Sequence, residues 1–217
     1  MIKIELSGCD GSGKSTAMVY FTEQARLRGL TVVETREVGN PHIPACVKMR
    51  EFVLDPANNM RGETMELIFA AMRFENDLWL QKLQESENPP DLVISDRGYF
   101  DHLAYTDHNV SEDFTRDFYE NFMAEQTTLP EVVIYFSVNT DTALKRRVKR
   151  GTGMDVIEMK GVEYQEKVRG YFEAWIDSYE GAFFGSDVTF YEVDANQSIE
   201  EVQKQLREIL SEIQDYL

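Results

Sequence analysis

The chain has 217 residues, 42% hydrophobic and 28% charged, which suits one well-cored domain and leaves little room for two. Its 39 acidic and 22 basic residues give a net charge of −17, which argues against a general nucleic-acid binder, because a phosphate backbone requires a basic surface. With no run of about eighteen apolar residues and no basic, apolar leader, the sequence reads as a cytoplasmic protein that acts on small molecules and has no membrane partner.

Ile2 to Ser7 is expected to form a buried first strand, and it runs into Gly8-Cys9-Asp10-Gly11-Ser12-Gly13-Lys14-Ser15-Thr16. This stretch fits the phosphate-loop pattern Gly-x4-Gly-Lys-Ser/Thr, placed between a strand and a helix. Gly8, Gly11 and Gly13 allow the positive φ and close approach by which successive N–H groups converge on a polyphosphate. Lys14 supplies a point charge for the β and γ phosphates, and Ser15 a hydroxyl for Mg²⁺. A helix beginning near Lys14 turns its positive end toward the same anion. A nucleoside triphosphate is the expected ligand. Cys9 lies inside the loop, where the helix dipole can act on its thiol; Cys9 and Cys46 have no metal-ligand spacing.

The first helix is predicted over Lys14 to Arg28, with Gly29 as its stop. Thr31 to Thr35 reads as the second strand, and Arg36 and Glu37 follow at its carboxyl end, where ligands bind in a doubly wound sheet. Pro41 and Pro44 precede a short helix, Cys46 to Leu54, that carries Lys48 and Arg50. A long helix is predicted over Gly62 to Glu85, its apolar stripe formed by Met65, Ile68, Phe69, Met72, Leu78 and Trp79. That stripe suits a core or a dimer interface. Phe69 and Arg73, at i and i+4, share a face, so that an aromatic ring can stack on a planar base while a guanidinium donates to its oxygen.

Asp91 to Ser95 is a continuous apolar strand suited to the sheet centre, and it ends in Asp96-Arg97. A carboxylate there orders Mg²⁺ or its waters, and the adjacent arginine binds a phosphoryl group. The following helical segment carries Asp101, His102 and Tyr105; His102 and His108 read as surface residues, since no matching metal cluster accompanies them. An amphipathic helix is expected over Ser111 to Thr127, and a fourth strand over Glu131 to Val138. Next, Lys145, Arg146, Arg147, Lys149 and Arg150 concentrate positive charge on one helix that leads to a lid around 145–160. Gly161 to Tyr179 is predicted helical, Val188 to Val193 a fifth strand and Ile199 to Leu217 a closing helix. Strands alternating with helices predict a three-layer α/β fold whose parallel five-stranded sheet is flanked by helices, in one domain over 1–217.

Several of these segments resemble the thymidylate kinase family, in order and along essentially the whole chain. DGSGKST at Asp10 to Thr16 is similar to its phosphate loop, TREVGN to its TREPGG, LIFAAMR to its LLFAADR and SDRGYFDHLAY to its DRYxxSxxAY. RVKRGTGMDVIE resembles its lid, and FYEVDANQSIEEV its terminal segment. The resemblance implies a P-loop nucleoside-monophosphate kinase fold, the reaction ATP + dTMP to ADP + dTDP with Mg²⁺, and a homodimer packed through long helices. It also implies that Asp10 contacts the deoxyribose 3′-hydroxyl, Phe69 stacks on thymine and Arg73 donates to its carbonyl. Arg36 and Arg97 would hold the acceptor phosphate, Tyr105 would sit under the sugar, and Lys14, Arg147 and Arg150 would clamp the transferred group.

The sequence departs from that pattern at Val38, Asn40, Gly98, Asp101, His102 and Val156. These positions leave the base open between thymine, a modified uracil and another base. Two other functions stay open: a deoxynucleoside kinase with Glu37 as general base, and a nucleotide-binding module that has lost transfer. Against the first stand Arg36, Arg73 and Arg97, more cations than an uncharged acceptor needs.

Overall fold

The computed structural model describes residues 1–106, 118, 128–150, 161–178 and 188–215. Five strands, β1 (Ile2–Ser7), β2 (Val32–Arg36), β3 (Leu92–Asp96), β4 (Val132–Ser137) and β5 (Thr189–Asp194), form one parallel sheet in the order β2-β3-β1-β4-β5. The helices among the described residues are α1 (Lys14–Leu27), α2 (Pro44–Leu54), α3 (Gly62–Gln84), α4 (Tyr99–Thr106), α5 (Thr140–Arg150), α6 (Gly161–Ser178) and α7 (Ile199–Gln214). The predicted α/β layering is therefore observed. Strand β2 ends one residue later than predicted, at Arg36, and α2 begins two residues earlier, with Pro44 in the first turn, where its missing N–H costs no hydrogen bond. The predicted helix over Ser111 to Thr127 lies, apart from Phe118, outside the described residues.

One face of the sheet is covered by α1 and α7. Ile4, Leu6, Leu92, Ile94, Ile134 and Phe136 point into this layer and meet Ala17, Phe21, Leu206 and Leu210. Helix α7 enters it through a capped start, because the Ser198 hydroxyl accepts from Glu201 N at 3.3 Å. The other face is built differently. Strand β1 is not uniformly apolar: its side chains alternate, so Lys3, Glu5 and Ser7 lie on the face opposite Ile4 and Leu6, and all three are buried. A polar stripe thus runs under the carboxyl end of the sheet, on the side where α3 and α4 pack.

Helix α3 is amphipathic in a mixed way. Met65, Phe69 and Met72 pack with Cys46 and Val53 of α2, whereas Glu66, Arg73, Asn76 and Asp77 on neighbouring turns are also buried. Trp79 stacks on His42, with centroids 5.0 Å apart. Leu78, expected in the apolar stripe, is instead 45% exposed, alongside Leu67 at 53% and Phe74 at 39%. These three residues, spaced seven and four apart, share an outward face of the helix.

Candidate active site

The loop Gly8–Gly13 closes over the carboxyl end of β1 because its glycines adopt conformations closed to other residues. Gly11 has φ 89°, and a Cβ built there would overlap the carbonyl of Ala143, so the loop lies directly against α5. Lys14, buried in the first turn of α1, folds back onto the loop. Its ammonium donates to Gly8 O at 2.6 Å, Cys9 O at 3.1 Å and Ser12 Oγ at 3.4 Å. Burial, then the neighbouring Arg97, lowers its pKa, against the pull of Asp101 and Asp10. The Cys9 thiol in the same loop is buried, which pushes its pKa up to about 11.

Ser15 donates to Asp96 Oδ2 at 3.3 Å, which brings together the two residues predicted to order Mg²⁺. Asp96 Oδ1 is buried and has no hydrogen-bond partner among the described residues. A serine hydroxyl and one carboxylate are the few protein ligands that Mg²⁺ takes when phosphate oxygens and water complete its shell, so the pair fits that ion.

Arg97 follows at φ 70°, an uncommon conformation for a side-chain-bearing residue. It is fixed on every side. One amino group donates to Gly8 O at 3.1 Å and to Asp101 Oδ1, the other donates to Asp10 Oδ1, and the guanidinium lies 4.9 Å from the Tyr105 ring centroid. Burial pushes the Asp10 carboxyl up, but Arg97, with Lys14 and Arg147, outweighs it and holds the group below the usual range. At Asp101 burial prevails over Arg97 and Lys14, and the pKa is raised. Beneath it, Glu5 is fully buried, and that burial together with the Asp101 charge pushes its pKa up to about 7.

Two cavities open at this end of the sheet. The larger, about 610 Å³, is lined by Asp10 to Ala17, Arg36, Asp96, Arg146 and Arg147 and extends to Gln197 and Val202 near the start of α7. The smaller, about 110 Å³, is lined by Glu37, Val38, Glu66, Phe69, Arg73, Gly98, His102 and Tyr105. Asp10, Arg50 and Arg97 line both. The cavities therefore meet at two guanidiniums and one carboxylate.

The predicted pair Phe69 and Arg73 does share the wall of the smaller cavity, backed by a buried ionic cluster. Glu37 is bound by Lys3 at 3.1 Å and Arg73 at 3.3 Å, and it accepts from Asn76 Nδ2 at 2.7 Å. Asn76 in turn accepts from Asn40 at 2.7 Å, and Arg73 donates to Gly98 O at 3.2 Å. Burial raises the Glu37 pKa, but Lys3 and Arg73 outweigh it, so the carboxylate stays below its usual range. A carboxylate held ionised by two buried cations is a poor general base, which removes the physical support for Glu37 as the proton acceptor.

His102 corrects the expectation of a surface residue. It is buried, its Nε2 lies 2.9 Å from Glu66 Oε2, and its ring meets Phe69 edge-on with centroids 5.5 Å apart. The chain turns at Gly98, where the carbonyl accepts from His102 N at 3.1 Å, so the first turn of α4 faces α3 rather than solvent. His108, the side chain of Arg150 and the predicted lid residues 151–160, including Asp155 and Val156, lie outside the described residues. Sequence reasoning left Arg50 and Arg146 unassigned. Arg146 approaches Ser12 O at 3.4 Å, and Arg50 donates to Val38 O at 2.9 Å. The basic run marked the first; no local pattern marks the second.

Residues 6–206 match the family model described as thymidylate kinase. The chain is similar to the thymidylate kinase of Bacillus pumilus, at 28% identity over 99% of this chain and 95% of that protein. It is 30% identical to that of Finegoldia magna, over 95% of this chain and 96% of the relative. With the thymidylate kinase of Francisella tularensis subsp. novicida it shares 29% identity, over 95% and 94%.

Proposed function

The chain belongs to the thymidylate kinase family, and from that premise we propose that it transfers the γ-phosphoryl group of ATP to the 5′-phosphate of dTMP, giving ADP and dTDP. The observation that carries this reading is the meeting of two cavities at Asp10, Arg50 and Arg97. One has the anion-binding loop of a triphosphate donor, and the other has the aromatic face and guanidinium of a base site. A new P–O bond forms between an acceptor phosphate oxygen and the γ-phosphorus as the bond to the β–γ bridging oxygen breaks. The acceptor is already anionic, so no general base is needed and catalysis rests on positioning and charge neutralisation.

In this reading the loop N–H groups and Lys14 hold the donor phosphates, while Arg97, with Arg36 and Arg50 at the same mouth, holds the acceptor phosphate. Arg147, on the wall of the larger cavity, faces the transferring group. Ser15 and Asp96 would hold Mg²⁺, which when bound supplies charge neutralisation at the β and γ oxygens. Phe69 and Arg73 face the base, Tyr105 and Asp10 the sugar. A second copy of the chain packing on the Leu67, Phe74 and Leu78 face of α3 would give the homodimer. No described helix is long and apolar enough to cross a membrane; the proposed place of action is the cytoplasm, on small nucleotides.

The test is ADP release with ATP and Mg²⁺ against dTMP, dUMP, other deoxynucleoside monophosphates, thymidine and no acceptor. Turnover that depends on a monophosphate, with dTMP preferred, is the expected result. Turnover with thymidine alone, or ATP binding without acceptor-dependent turnover, overturns the reading.

A further inference from the structure

The polar stripe on β1 holds a group that the reaction does not use. Glu5 is fully buried, and its Oε1 accepts three hydrogen bonds: from Ser7 Oγ at 2.8 Å, Phe100 N at 3.0 Å and Asp101 N at 3.2 Å. The last two are first-turn donors of α4, which have no partner within the helix itself. The residue before the helix is Gly98, which has no side chain to cap them. A carboxylate from the central strand, some ninety positions earlier, takes that role and meets the positive end of the helix.

The same turn carries the arginine at the junction of the cavities. Asp101, whose amide Glu5 holds, accepts from Arg97 and from Gly8 N at 3.4 Å. Gly98 is matched to this arrangement by space rather than by conformation: a Cβ built on it would overlap both Oε2 and Cδ of Glu5. The glycine after Asp96-Arg97 therefore leaves room for the Glu5 carboxyl to rise under the turn. The contacts form one path, from Glu5 to the start of α4, to Asp101, to the Arg97 guanidinium.

We propose that Glu5 is a positioning residue for the acceptor-phosphate site, fixing through Asp101 the direction in which Arg97 points, and that Gly98 is its obligatory partner. This rests on the reading of Arg97 as an acceptor-phosphate ligand. Glu5 acts as a hydrogen-bond acceptor of defined shape, so Glu5→Gln, whose amide oxygen accepts the same three donors, keeps the function. Glu5→Met keeps the bulk and removes the acceptor. Gly98→Ala keeps the acceptor and displaces it.

The experiment measures steady-state kinetics of the full chain for the wild type and these three variants, varying dTMP and ATP separately, with circular dichroism to verify folding. Loss of alignment at one phosphate ligand predicts that Glu5→Met and Gly98→Ala each raise the dTMP KM by roughly tenfold or more, with the ATP KM unchanged and Glu5→Gln near wild type. A merely structural Glu5 would lower the yield of active protein without separating the two KM values. If Glu5→Met fails to fold, Gly98→Ala and Glu5→Gln carry the test. An unchanged dTMP KM in every folded disruptive variant, or parallel rises for both substrates, overturns the role of Glu5 and leaves the kinase reading standing. Absence of any dTMP turnover in the wild type overturns both.

Discussion

Glu37→Gln tests the buried ionic cluster and the reaction class together. The substitution keeps the shape and the hydrogen bond from Asn76, and removes the negative charge that pairs with both Lys3 and Arg73. Those three side chains are between 2% and 4% exposed, so water cannot replace the lost partner. Breaking a buried pair costs about 3–5 kcal/mol, chiefly because the surviving charge is stranded. Here two buried cations lose this carboxylate, but Asp77 lies in the same field. Burial pushes its pKa up to about 6, with Glu37 adding to the rise, so loss of Glu37 favours its ionised form and returns part of the charge balance. The lower end of the range, about 3 kcal/mol, is the expectation. For a chain of this size that lowers Tm by about 6–12 °C. Thermal melts of the variant should be run beside turnover assays with dTMP and with thymidine. A Tm within about 2 °C of wild type refutes the energetic argument, and an unchanged Tm with selective loss of thymidine turnover would restore Glu37 as a base.

Three further outcomes follow from the same geometry. Asp96→Asn should leave the protein folded and raise the Mg²⁺ concentration for half-maximal turnover by roughly tenfold to a hundredfold; an unchanged metal titration would separate Asp96 from the ion. Leu78→Glu, on the exposed face of α3, should convert the proposed dimer to a monomer in analytical ultracentrifugation, while a variant with wild-type sedimentation would refute a dimer packed through this face. The Glu5 pKa is raised from 4.5 to about 7 by burial and by Asp101, with Glu37 adding to the rise and Ser7 and Lys3 opposing it. The folded state therefore holds a proton there that the unfolded chain has released, so this contribution to stability is complete below pH 4.5 and is lost as pH rises through 7. Denaturant unfolding of wild type and Glu5→Gln should show the wild type losing ground to the variant between pH 5 and 8, and a constant difference would refute the linkage.

The fold was legible in the sequence because its signals are local. The spacing of Gly8, Gly11 and Gly13 before Lys14 encodes backbone conformation directly, and apolar runs such as Leu92 to Ile94 and Val132 to Phe136 can only be central strands. Asp96 and Arg97 were legible as a strand end, and Phe69 with Arg73 as a helical pair. Hydrophobic periodicity cannot announce a buried polar residue. Lys3, Glu5, Glu66, Asn76 and His102 look like surface positions in sequence, and they are interior because each finds a partner far along the chain. Leu78 fails in the opposite sense: apolar residues on adjacent faces of α3 blur the stripe, and only the packing of α2 and the sheet decides which face turns inward.

The position of β1 between β3 and β4 also sets the order in which the molecule can assemble. The strand that leads into the phosphate loop pairs with residues 92–96 on one side and 132–135 on the other. The apolar face of α1 packs on the sheet and is completed by α7, over residues 199–214. Neither neighbour is local, so loop-closure entropy must be overcome before these contacts form, and parallel pairing of this kind slows folding. During synthesis Ala17, Phe21 and Ala25 stay only partly covered until the closing helix has emerged, which leaves the nascent nucleotide-binding half as the segment most in need of chaperone protection.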